Sequence, residues 1–78
     1  MKTDSELIAE RLLGILDERN LTINRLATLS GMGQSSVNAM FRGASASPKI
    51  GTLRKIASGL EMPLTELLDF PPYNEVEK

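Results

Sequence analysis

The sequence predicts an all-α fold, a compact bundle of five short helices, and three observations carry that expectation. Apolar residues recur at helical spacing in one segment after another, no stretch alternates with a period of two, and capping residues and glycines punctuate the chain between those segments. Its 78 residues allow one domain with a single modest core. With Phe41, Phe70 and Tyr73 as its only aromatic residues, that core must be built mostly from Leu, Ile, Val and Met.

The first helix is expected over residues 5–19, SELIAERLLGILDER, where Ile8, Leu12, Ile15 and Leu16 share a face and Ser5 or Asp4 caps the start. Gly14 inside it costs about 1 kcal/mol relative to Ala, which points to another helix crossing closely there. Asn20 is placed to end it in the left-handed conformation. In LTINRLATLSG, Thr22 caps a second helix, Leu21 and Leu26 are spaced as a hydrophobic staple, and Gly31 stops it. Its inward residues are Ile23, Leu26 and Leu29, with Ala27 at the border.

A third helix runs from Gln34 to about Arg42, with Gly33 as a weak cap and Gly43 as the stop. Val37, Met40 and Phe41 turn inward, and Ser35, Asn38, Ala39 and Arg42 lie on the other side. ASASP is a loop by composition. Pro48 then precedes a fourth helix whose apolar stripe is Ile50, Leu53, Ile56, Ala57 and Leu60, and a last short helix has Pro63 early with Leu64, Leu67 and Leu68 inward. The domain is expected to span residues 1–70. Residues 71–78, PPYNEVEK, form a tail with too little apolar surface to order itself.

Charge is distributed unevenly. The formal net charge is −1, yet residues 19–60 carry Arg19, Arg25, Arg42, Lys49, Arg54 and Lys55 with no acid, a net of +6, between flanks of −3 and −4. Such a middle segment calls for an anionic partner. An enzyme is not expected: with no His and no Cys, the commonest bases, nucleophiles and soft-metal ligands are missing, and no cofactor or metal is implied. The glycines of GMG lack the spacing and the Lys-Ser/Thr partner of a phosphate-cradling loop. Without cysteines, a signal peptide or an apolar run long enough to cross a bilayer, the chain is expected in the cytoplasm, away from membranes. No length remains after residue 70 for a ligand-sensing domain, so no small-molecule ligand is expected.

The second and third helices meet at Gly31-Met32-Gly33, a short glycine-containing turn that defines a helix-turn-helix arrangement, with Met32 plugging the corner. The outer face of the third helix is small, free of acid and able to hydrogen-bond, as insertion into a major groove about 12 Å wide requires. Residues 21–68 resemble the Cro/phage-repressor type, or XRE family, of lambda-repressor-like helix-turn-helix domains. The resemblance lies in "LT" opening helix two, "LA" within it, "SG" at the turn and "QSSV" opening helix three. It continues with "RG" at that helix's end, Pro48, "LRKIASGL" and "LTELL".

The resemblance implies a transcriptional regulator that binds double-stranded DNA, usually as a homodimer, with the third helix in the major groove. It implies that Gln34 contacts a phosphate or the first base, that Ser35 and Asn38 reach base edges, and that Ala39 meets a thymine methyl or leaves room for the DNA. Ser36, Arg42 and Lys49 fall at positions that touch the backbone, and Thr22 opens the second helix against a phosphate. Relatives often carry glutamine at Ile23, where it binds a backbone phosphate as isoleucine cannot, a long polar base-reading residue at Ala39, and a glycine at Glu61. The departure at Ala39 favours sparse direct readout and specificity through DNA shape. A second reading is a protein-interaction module on the same fold with vestigial DNA binding. Helix five and the tail, through Leu68, Phe70 and Tyr73, are the expected dimer contact.

Overall fold

Helices α1 (Asp4–Arg19), α2 (Ile23–Ser30), α3 (Gln34–Phe41), α4 (Ile50–Gly59) and α5 (Leu64–Leu67) form in the computed structural model, which describes residues 2–42 and 48–76, and no strand occurs among the described residues. The all-α expectation holds. The stop expected at Gly43 and the loop expected over 44–47 lie outside the described residues.

Helix α1 starts on Thr3, not on Ser5 or Asp4. The Glu6 amide donates to the Thr3 hydroxyl at 3.2 Å and the Thr3 amide donates to the Glu6 carboxylate at 3.2 Å, a reciprocal capping box. Ser5 is buried instead, at 3% exposure, and its hydroxyl has no partner among the described residues. Thr22 caps α2 as expected, accepting from the Arg25 amide at 3.0 Å.

Helices α1, α2 and α4 all end by one device. Asn20, Gly31 and Glu61 take the left-handed conformation, with φ of 54°, 67° and 56°. The amide of the next residue then reaches back across the last turn: Leu21 to the Leu16 carbonyl at 2.8 Å, Met32 to Ala27 at 3.0 Å and Met62 to Ala57 at 3.0 Å. Each of those next residues is apolar and packs into or against the core. The stop thus reverses the chain and anchors it in one step. Glu61 holds this conformation with a side chain attached.

The core draws one fully buried residue from each of the four longer helices: Leu12, Leu26, Val37 and Ile56 are all at 0% exposure. Three expectations need correction. Leu29 does not face inward; it is 38% exposed, and Ser30 takes the inner position beside Leu26 and Ala27. Ile50, the first residue of α4, is 60% exposed and lies outside the stripe formed by Leu53, Ile56, Ala57 and Leu60. Nor does anything cross α1 at Gly14, where an added Cβ would meet no atom within 4 Å.

The close crossing is at Gly59. A Cβ there would lie 2.8 Å from the Leu29 carbonyl carbon and oxygen and 2.9 Å from the Ser30 amide nitrogen. The end of α4 therefore rests directly on the backbone of α2. That explains the exchange of Leu29 for Ser30: small residues, Ala27 and Ser30, line the face that α4 approaches.

The C-terminal segment docks on α1. Arg11 donates through Nε to the Leu67 carbonyl at 3.2 Å and through a terminal nitrogen to Glu66 at 3.0 Å, satisfying the end of α5, while its guanidinium lies 5.6 Å from the centre of the Phe70 ring. Arg19 likewise donates to the Leu60 carbonyl at the end of α4. Phe70 and Tyr73 meet edge to face at 5.1 Å, and the Tyr73 hydroxyl donates to the Asp4 carboxylate. Tyr73, expected in an unstructured tail, packs against the core. Leu68, Phe70 and Tyr73 are thus half-buried in their own chain, which reduces what they offer a second copy.

Two measurements check these contacts. Gly59→Ala should destabilise the fold by about 1–3 kcal/mol through backbone overlap, whereas Gly14→Ala should stabilise it by about 0.5–1 kcal/mol; denaturant unfolding of the two variants should give opposite signs. Tyr73 is pushed up to about 12, first by burial and then by the hydrogen bond to Asp4 and its negative charge. The fold holds the neutral phenol, so this contribution to stability is whole below the ordinary value of 10.0 and is lost as pH rises through about 12. Tyr73 is the only tyrosine and there is no tryptophan, so ultraviolet titration of the folded chain reads it alone. The midpoint should fall near 12, and Asp4→Asn should bring it only part of the way back to 10.0. A native midpoint at 10.0 would show that Tyr73 is not docked.

Candidate nucleic-acid interface

The turn between α2 and α3 sets the geometry of the site. Gly31 is left-handed at φ 67°, Met32 is half-buried against the core, and Gly33 is the extended N-cap of α3. Two helices of eight residues each are joined at this corner. Neither is long enough to persist alone in water, so the angle between them is fixed by what they bury. On α3 this is Val37 and Met40, at 0% and 4% exposure, with Phe41 packed beside them.

Burying Val37 and Met40 leaves the opposite face of α3 outward. Gln34, Ser35 and Ser36 are exposed; Asn38 and Ala39, one turn on, are half-buried. Gln34 Nε2 donates to Asn38 Oδ1 at 3.2 Å. This contact is the i, i+4 pairing of two amides on one helix face. It leaves the Gln34 carbonyl oxygen and the Asn38 amide group without a partner among the described residues, an acceptor beside a donor. An adenine edge offers the complement, a donor at N6 and an acceptor at N7. The spacing of Gln34 and Asn38 was legible from sequence; their mutual hydrogen bond was not drawn from it.

Thr22 is exposed at the start of α2, with its hydroxyl engaged by the Arg25 amide. Its role as a cap leaves the Ile23 and Asn24 amides without acceptors among the described residues. Helices α2, α3 and α4 carry no acid in the first turn, whereas α1 carries Asp4 and Glu6 there. The positive ends of those three helix dipoles therefore have no compensating acid within their own first turns. Lys49 is the exposed N-cap of α4, and Arg25, Arg54 and Lys55 are exposed as well. Among the described residues the sole ion pair is Lys2–Glu10 at 2.6 Å, so none of these cations is neutralised internally. The arrangement is built to receive anions.

Arg42 is exposed as the C-cap of α3, at the end of the helix nearest α1. It shares a shallow depression with Lys2, Glu6 and Glu10. Glu10 is occupied by Lys2 and Glu6 by the Thr3 cap. The acids of α1 thus border this end of the candidate surface, while the Gln34 end carries none. Sequence reasoning gave the outward placement of Arg42 but could not see this neighbourhood, which depends on where α1 crosses.

These features define a helix-turn-helix protein, and the helix-turn-helix family matches residues 13–67, more than half of the chain, which belongs to it. The chain is similar to the HTH-type transcriptional repressor RghR of Bacillus subtilis (strain 168), 35% identical over 63 residues, covering 81% of this chain and 47% of RghR. It is similar also to the HTH-type transcriptional regulator SlrR of the same organism, 37% identical over 51 residues, covering 65% of this chain and 34% of SlrR. The chain therefore spans about half or less of the length of the curated relatives it matches. The crystal structure of prophage Lp1 protein 11 shares the fold, with a TM-score of 0.90 and 53% identity, covering 97% of this chain and 100% of that one.

Proposed function

We propose that this chain is the DNA-binding module of a transcriptional regulator, repressor-like in its action. It seats α3 in the major groove of double-stranded DNA and works by binding alone, with no catalytic step. The observation that carries this reading is the outer face of α3, on which Gln34, Ser35 and Ser36 are exposed and Asn38 and Ala39 half-buried, with no acid in its first turn and a buried Val37–Met40 base beneath it. In this reading Gln34, Ser35 and Asn38 meet base edges, and Ala39 lies against a thymine methyl or leaves room for one. Thr22 and the open amides behind it, with Ser36, Arg42 and Lys49, take backbone phosphates. The repressor and regulator names of the Bacillus relatives support it, and in such cells the DNA lies in the cytoplasm.

The functional unit in this reading is a homodimer. One module covers about 600–1,000 Å² of protein surface on DNA, less than most specific interfaces bury. Two modules related by a two-fold axis would read half-sites one helical turn apart, about 34 Å.

Selection of bound sequences from a random duplex pool tests the proposal directly. The expected result is an enriched, inverted-repeat site with an A·T pair in each half that depends on Asn38. Asn38→Ala should relax preference at that pair by about 1–3 kcal/mol while leaving unfolding unchanged within about 0.5 kcal/mol. A pool that shows no enrichment would overturn the reading.

A further inference from the structure

An open cleft of about 970 Å³ lies between the end of α2, the outer side of α4 and the start of α5. It belongs to a part of the molecule that the duplex reading uses only at Lys49. Its walls combine two chemistries. The exposed Leu29 and half-buried Leu64 supply apolar surface, with the largely buried Met62 also lining it; Lys49, Arg54 and Lys55 supply charge, and no acidic residue lines it among the described residues. Leu29 is there because Gly59 brings α4 onto the α2 backbone and leaves this side chain 38% exposed. Close packing of two helices has thus produced an apolar edge beside three cations that have no ion-pair partner among the described residues.

We propose that this cleft is the docking site for an acidic segment of a partner protein, one that presents Asp or Glu side chains around apolar anchors. Charge complementarity selects that occupant. An apolar anchor fills the space between Leu29, Met62 and Leu64, and its flanking carboxylates reach Lys49, Arg54 and Lys55. Duplex phosphates would satisfy the cations but leave the apolar surface in water. A second copy docked face to face on a two-fold axis would bring the Lys49, Arg54 and Lys55 patch against the same patch, with no acid in the cleft lining to pair either. Because Lys49 is shared with the proposed duplex surface, the docked segment would also compete for a phosphate contact. That consequence alone rests on the DNA-binding reading.

The test is panning of a phage-displayed library of random twelve-residue peptides against the full chain, without DNA. The enriched peptides should be rich in Asp and Glu and carry at least one Leu, Ile or Phe. An enriched peptide, synthesised and titrated into the labelled chain, should shift the amide resonances of Leu29, residues 49–55 and residues 62–64. Arg54→Glu combined with Lys55→Glu should weaken it at least tenfold, and Leu29→Ser several-fold. All three side chains are exposed, so the variants keep the fold. Arg42→Glu should weaken duplex binding and leave peptide binding unchanged, which separates failure here from failure of the DNA reading. The proposal is overturned by a library that yields no acidic enrichment, by binding indifferent to the Arg54 and Lys55 reversal, or by shifts that map elsewhere. It is overturned equally if sedimentation finds a dimer that Leu29→Ser dissociates.

Discussion

Helix α3 cannot hold itself, and the rest of the structure exists to hold it. Eight residues form too few intrahelical hydrogen bonds to offset nucleation in water. Its position therefore comes from Val37 and Met40, sunk into a core supplied by α1, α2 and α4, and from the Gly31–Gly33 corner that ties it to α2. The outward direction of Gln34, Ser35 and Asn38 is the other side of the same fact.

The left-handed stops extend this logic through the bundle. At Asn20, Gly31 and Glu61 the chain turns sharply, and the apolar residue that follows locks the turn against the core. Short helices can then follow one another without long connections. The cost falls on Glu61, which takes a conformation that disfavours a side chain. Electrostatics follow from where the helices begin. Of the acids of α1, Glu6 serves the helix's own cap, Glu10 pairs with Lys2 and Asp4 receives the Tyr73 hydroxyl. The first turns of α2, α3 and α4 have no such partners, and the cations of the middle segment face solvent.

What was legible in the sequence was local. Thr22, Gly31 and Asn20 signal their roles through neighbours within a turn, and the outward face of α3 follows from the spacing of Val37, Met40 and Phe41. The Thr3–Glu6 capping box was equally local and readable from its spacing, although Ser5 and Asp4 stood closer to the apolar run. What failed depended on which backbones meet. Periodicity places a residue on a helix face to within about 100°, too coarse to choose between Leu29 and Ser30 as the inner position of an eight-residue helix. The crossing at Gly59 decides that choice, and nothing in the local sequence distinguishes Gly59 from Gly14 as the crossed glycine. Tyr73 meets Asp4 across 69 positions, so its docking could not be read from the composition of the tail. The border of acids near Arg42 was hidden for the same reason.

The central claim is that an uncompensated, outward-facing positive surface meets DNA phosphates. Measuring affinity for the selected duplex across a series of salt concentrations tests it most directly. Each neutralised phosphate contributes a slope of about −0.9 in log affinity against log salt. With the proposed phosphate contacts of Arg42 and Lys49 in each module of the proposed dimer, affinity should fall linearly on that plot, the neutral Thr22 and Ser36 adding no slope. An affinity that stays flat from low to high salt would contradict the claim.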